Sequence, residues 1–433
     1  LSSIHLYKQY SLILPHSYFY LHTLKHSFNL LLLLLPKIMF LWIRNVLCAC
    51  SSNNTIDMIG DVNIDEFDTD PLGWSMRVLK HPFGEVSMAA VQANENMEGI
   101  SELDIGDIAL FVGIYDGQNG TFASEFLSDR LVSALLCDID LNGQNMSEDI
   151  LRQVVDKMEK KFMEKADELH DHQPGRVLAS SSCLFCIVWK GKLYVANVGD
   201  SRAVMGSSGL FGRLRVQQLV RDHNAGNEHI KEELMRLHQD DPNIVMYIRD
   251  AWRVRGVSEV SRCIGNAYLK REPFTLDPSF NVPQTELAPS DFTRPLLSAE
   301  PETYSRELDS GRFIIFGSGG LWKLLTNEEA AKIVNTNPRQ GIAKRLVMIA
   351  LKIAARKNNM TYSELLAVPR GPRREYHDNI VVTVVFLDKR PDVMTPRPRI
   401  NCFRSFFDTA LRSNFHYLYA HNTAFCLGMG NYS

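Results

Sequence analysis

The chain has 433 residues, of which 45% are hydrophobic, 22% charged and 9% aromatic, a globular balance that excludes a disordered, collagen-like or low-complexity protein. Lys+Arg 47 against Asp+Glu 50 gives a net charge of −3, so no global positive field gathers nucleic acid, and none is expected as a partner. The length admits one large domain with tails or two domains, at ~100–200 residues each.

Residues 1–56 read as an N-terminal extension. Its apolar pieces, 30–35 and 38–43, are divided by Pro36 and Lys37 and closed by Arg44, so neither reaches the ~18 residues of a membrane span. A weak membrane or targeting segment and a misassigned start upstream of Met39 are the two readings. From 57 to 388 no Pro/Gly/Ser-rich linker interrupts the chain, and one domain is expected there. Within it, apolar β-rich runs fall at 86–91, 108–115, 182–188, 193–198, 313–316 and 380–387, with Lys190-Gly191 as a hairpin turn. Helical stripes lie between them: Phe122, Phe126, Leu131 and Leu135; then Leu151, Val154, Val155, Met158, Phe162, Ala166 and Leu169, capped by Ser147. The capping box Thr326-x-x-Glu329 opens a helix that stops before Pro338, and another follows with Ile342, Leu346, Ile349, Ala350 and Ile353 inward. Hairpins with helices inserted in pairs argue for an α+β fold of antiparallel sheets covered by helices. Residues 389–433 form a C-terminal tail, basic and proline-rich to 399 and aperiodic beyond, expected to be peripheral.

The eight cysteines form no repeated pairs, which favours a reducing compartment. Cys183-x-x-Cys186 has zinc-like spacing, but strand alternation sends the two sulfurs to opposite faces, so two buried thiols are expected. His170-Asp171-His172 lies before Pro174-Gly175 and reads as a solvated loop, as does the patch Arg370, Arg373 and Arg374. The informative acids are Glu98, Asp116, Asp200 and Asp378, each at the end of a buried run. Carboxylates gathered at a sheet rim can hold a hard divalent cation; they are also ordinary turn residues.

Phe111-Val-Gly-Ile-Tyr-Asp-Gly-Gln-Asn-Gly120 resembles the Asp-Gly-His-Gly-Gly loop of the metal-dependent, type 2C protein serine/threonine phosphatases. Leu193-Tyr-Val-Ala-Asn-Val-Gly-Asp-Ser-Arg202 is similar to that family's Gly-Asp-Ser-Arg segment, and the stretches 260–270, 313–322 and 377–380 follow in the family's order. The resemblance spans about 57–388 and is nearest to a plant group. It implies a central antiparallel β-sandwich flanked by α-helices, in α-β-β-α layers. It implies two Mg²⁺ or Mn²⁺ ions that activate a bridging water for attack on phosphorus. Carried over by position, Asp116 bridges the metals, Gly117 gives a carbonyl ligand, Glu98 and Asp378 complete the centre, and Asp200 supports an additional weaker metal.

Departures from the pattern carry as much information. Gly99 stands where the family has the aspartate after its upstream glutamate, and Gly319 replaces the aspartate of Ser-Asp-Gly-Leu-Trp. Lys323 replaces an acid beyond that tryptophan, Asn266 replaces the aspartate of Ile-Gly-Asp, and Gln118 occupies the place of the proton-donating histidine. Two divalent ions carry four positive charges against three close carboxylates, and Gln118 has no proton to give near neutral pH. An impaired or inactive relative, a pseudophosphatase binding phosphoproteins or phosphatase regulators, is the expectation; an active Mg²⁺- or Mn²⁺-dependent enzyme is the alternative. The resemblance also implies a monomer in the cytoplasm or nucleus, associated with the plasma membrane where its partners are the proton pump and small auxin-induced proteins.

Overall fold

The apolar runs form strands, most of them longer than the sequence suggests. The computed structural model describes residues 63–169, 173–208, 213–271, 294–308, 311–388, 401–407 and 410–415; the extension 1–56, His170-Asp171-His172 and residues 389–400 lie outside them. The strands are β1 (Gly73–His81), β2 (Gly84–Val91), β3 (Gly99–Ile105), β4 (Ala109–Gln118), β5 (Ser180–Trp189), β6 (Lys192–Val198), β7 (Arg202–Ser208), β8 (Leu214–Gln218), β9 (Val245–Ile248), β10 (Ala251–Val254), β11 (Ile264–Gly265), β12 (Glu302–Glu307), β13 (Gly311–Gly317), β14 (Ile380–Leu387) and β15 (Asn401–Arg404). The helices are α1 (Phe122–Leu141), α2 (Glu148–Leu169), α3 (Pro174–Val177), α4 (Glu228–Leu237), α5 (Gly319–Trp322), α6 (Asn327–Thr336), α7 (Ile342–Lys357) and α8 (Tyr362–Ala367).

Two antiparallel sheets result. One runs β1-β2-β14-β13-β7-β8, the other β12-β6-β5-β4-β3-β15 with β11 beside β5. Strand alternation divides the core between them. Leu110, Val112, Ile114, Leu184 and Cys186 face the other sheet and meet Ile314, Phe316, Val381 and Val385. Their neighbours Phe111, Tyr115, Cys183 and Phe185 face outward and are covered by α1 and α2. Cys183 and Cys186 therefore point to opposite faces as buried free thiols. On the far side α7 packs on β2 and β14, completing the α-β-β-α layers. Local signals agree: Thr326 and Glu329 form a reciprocal capping box, and Lys190 (φ 49°) and Gly191 (φ 80°) give the left-handed pair of a tight hairpin. Among the described residues no helix is long and apolar enough to cross a membrane.

The tail departs from expectation. Residues 401–404 add β15 to the edge of β3, with Asn401 opposite Ile105 and Arg404 opposite Glu102. The anchors are polar, so no periodicity announces them. Asp104, fully buried, accepts from the backbone N and Nδ2 of Asn414 at 2.9 Å each and from the Ser413 hydroxyl. Glu102, equally buried, accepts from the Tyr115 hydroxyl at 3.0 Å and meets Arg404 Nη2 at 3.4 Å. Phe415 is 0% exposed and joins the helix-side core, lying where any side chain on Gly106 would stand.

Truncation of this plug, Phe415→Ala, is expected to lower unfolding stability by about 3–5 kcal/mol in urea titrations; a loss within experimental error would mean the tail is not part of the fold. Burial raises the Glu102 carboxyl to about 7, opposed by Arg404 and reinforced by Asp104. The folded state therefore favours the protonated form, and stability should fall as pH rises from the ordinary carboxylate range through about 7. Glu102→Gln should flatten that slope in melts recorded across this range.

Candidate active-site cleft

One end of the sandwich gathers strand ends and loops from distant parts of the chain. Asp116 sits near the end of β4, opposite Gly99 of β3 and Ser182 of β5. Asp200 lies in the turn between β6 and β7, where Gly199 adopts φ 115°. Asp378 precedes β14, and Lys323 directly follows α5. With Glu98, Gly117, Gln118, Asn266 and Gly319, these line one cleft of about 230 Å³.

Each carboxylate is held differently. Glu98 accepts from Asn94 Nδ2 and, at 2.8 Å, from the Gly120 backbone N–H. Asp200 accepts from Ser182 Oγ at 3.1 Å. Asp378 is fixed from behind: Arg373 makes two bonds to Asp70, at 2.9 and 2.6 Å, with both side chains fully buried, and its Nε donates to His377 Nε2 at 2.9 Å. Burial pulls His377 down to about 4, so the ring is neutral and its Nδ1–H donates to the Asp378 carbonyl at 2.7 Å. Next to it, Asn379 Oδ1 accepts from the backbone of Ala93 and Asn94, tying the Asp378 loop to the segment that supports Glu98.

Lys323 turns into the cleft. Its ammonium lies 3.2 Å from Asp378 Oδ2 and 3.0 Å from Glu259 Oε2. The side chain keeps 45% of its surface exposed; partial desolvation works against its charge, but Asp378, Glu259 and Asp200 outweigh it and hold the lysine above its ordinary range. Asp116 is raised as well, which for a carboxylate disfavours the charged form: burial first, then Asp200 and Asp378, push it well above the usual range, with Lys323 opposing. Among the described residues no three His, Cys, Asp or Glu side chains gather as a metal-holding group.

The two glycine positions are occupied by neighbours. A Cβ on Gly319 would stand 2.5 Å from Asp200 Oδ2, and one on Gly99 would stand 2.8 Å from Val381 Cγ2 and 3.6 Å from Asp116 Oδ1. Asn266 has left-handed backbone (φ 62°), and its buried Oδ1 has no partner. Arg202 of the Gly-Asp-Ser-Arg segment points away, pairing with Asp222 at 3.1 Å and covering the Trp322 ring. Sequence reasoning missed Glu259, whose only signal was an acid just before Val260-Ser-Arg262. It also missed Arg249 and Arg253 of the β9–β10 hairpin, which reach the same cleft. Arg374, read from sequence as solvated, lines it too, while Arg373 is buried.

A family model described as Protein phosphatase 2C matches residues 93–359. Probable protein phosphatase 2C 68 of Arabidopsis thaliana is 45% identical over 324 residues, covering 74% of this chain and 81% of the relative. The chain belongs to the protein phosphatase 2C family. A rice relative, probable protein phosphatase 2C 43 of Oryza sativa subsp. japonica, is 43% identical over 352 residues, 80% of this chain and 89% of its own. The solved structure of a C. elegans sex determining protein has the same fold, with a TM-score of 0.50 at 18% identity over 71% of this chain and 66% of that one. Members of the protein phosphatase 2C family are metal-dependent serine/threonine phosphatases. In this phosphatase 2C chain the family match ends before Asp378, which the fold nonetheless returns to the cleft through β14.

The crowding at Gly99 is testable. Gly99→Ala is expected to cost about 1–3 kcal/mol by overpacking against Val381, and in a double-mutant cycle with Val381→Ala most of that cost should disappear. Equal costs in both backgrounds would mean that Val381 does not occupy the space.

Proposed function

We propose that this phosphatase 2C chain is a binding member of its family, one that engages phosphoproteins or phosphatase regulators and hydrolyses phosphoserine or phosphothreonine weakly or not at all. The observation that carries the reading is the Lys323 ammonium between Asp378 and Glu259. A tethered cation there competes with a divalent ion for Asp378 and repels any ion brought to Asp116 nearby. Gly319 and Gly99 supply no carboxylate to compensate, and the space beside each is filled by Asp200 or Val381. The donors at hand therefore do not fit a pair of hard divalent cations as the side chains stand. Loss of one supporting group costs ~10–100-fold in metal affinity or activity, and the loss of direct ligands at least as much. Gln118, lining the cleft where an acid would protonate a leaving oxygen, carries no ionisable proton, which forfeits up to ~10²–10⁴-fold.

A second reading, an active Mg²⁺- or Mn²⁺-dependent phosphatase, has in its favour that Glu98, Asp116, Gly117, Asp200 and Asp378 all line one cleft. Lys323 separates the two readings. Calorimetric titration of the full chain with Mn²⁺ should give weak binding that tightens at least ~10-fold in Lys323→Ala. Tight binding of two ions by the unmodified chain, with turnover of a phosphothreonine peptide at the rate of an intact relative, would establish the second reading instead.

A further inference from the structure

We infer that Arg249 and Arg374, assisted by Arg253, form a metal-independent seat for the phosphoryl group of a phosphorylated protein at the mouth of this cleft. The inference deepens the binding role proposed above and rests on it. Two chain segments bring arginines here, the hairpin with its following turn (Arg249, Arg253, Arg255) and the loop before β14 (Arg370, Arg373, Arg374). Three are committed elsewhere. Arg255 bonds Asp241, Arg370 pairs with Glu95, and Arg373 is buried on Asp70. The two left without a carboxylate partner among the described residues, Arg249 and Arg374, are exposed and both line the cleft. Arg253 reaches the same wall; its Nη2 bonds Glu259 at 2.7 Å and its Nη1 the Val257 carbonyl at 3.1 Å, while its Nε is buried with no partner.

The carriers are placed with some rigidity. Arg249 (φ 52°) and Asp250 (φ 59°) are the two left-handed residues that join β9 to β10, a turn that favours Asn-Gly. Arg374 lies in the 3-10 turn Pro372–Glu375, whose neighbour Arg373 is locked to Asp70. The inner wall of the cleft is acidic, so a dianion is repelled from its depth and drawn to the rim, where guanidinium groups can form paired charge-assisted bonds to phosphoryl oxygens.

The test is fluorescence anisotropy of a short phosphothreonine peptide and its unphosphorylated counterpart on the full chain, with EDTA present and melting curves to verify folding. The phosphopeptide should bind at least ~10-fold tighter, and Arg249→Ala and Arg374→Ala should each weaken it by about 10-fold. The affinity should fall with added salt. Arg339→Ala, which removes a half-buried cation paired with Asp388 and Glu85 elsewhere, should change nothing. Equal affinity for both peptides, indifference to both arginine changes, or binding that appears only when Mn²⁺ is added would overturn the inference. An affinity for inorganic phosphate equal to that for the phosphopeptide would overturn its protein specificity. Turnover of the same peptide with Mn²⁺, alongside retained binding in EDTA, would remove the non-hydrolytic reading and leave the arginine seat standing.

Discussion

Five carboxylates, those of Glu98, Asp116, Asp200, Glu259 and Asp378, line one small cleft, and their mutual repulsion is relieved by protonation or by a cation among them. In this chain the cation is covalently attached. Lys323 takes one oxygen of Asp378 and one of Glu259, and Glu259 gives its other oxygen to Arg253 of the β9–β10 hairpin. The lysine thus joins the sandwich to the hairpin as well as neutralising charge. Such a bridge is compact, yet a single ammonium offers one charge where one divalent ion would carry two.

The scaffold behind the acids is itself a buried polar network. Arg373, Asp70 and His377 form a fully or nearly buried chain that fixes the Asp378 carbonyl. Asn379 binds the backbone at Ala93 and Asn94, and Asn94 in turn holds Glu98. Buried charges without partners are expensive, so this network stabilises the loop geometry whether or not the carboxylates do chemistry. The cleft therefore keeps a fixed geometry around Asp378 and Glu98.

Much of this was legible in the residues. Alternation placed Cys183 and Cys186 on opposite faces, the Thr326 capping box began a helix, and acids at the ends of buried runs marked the cleft. Gly99 and Gly319 could be flagged only against a family pattern; what fills their places, Val381 and the Asp200 carboxylate, is a matter of packing that no linear spacing encodes. Lys323 could be named from sequence but not aimed, because a four-carbon stem points to solvent as readily as to a carboxylate. The β9–β10 hairpin escaped because its turn is Arg249-Asp250, lacking the glycine that ordinarily announces one. The tail escaped because Asp104, Ser413 and Asn414 hold it by polar contacts, and those have no hydrophobic period.

That closing strand imposes an order of events on synthesis. β3 leaves the ribosome some three hundred residues before its outer neighbour, so a nascent domain carries Glu102 and Asp104 on an open sheet edge until residues 401–404 emerge. Pairings this distant in sequence are slow to form. The polypeptide can collapse early, but that edge closes only when residues 401–404 reach it, and during the interval strand capture by another molecule competes with β15.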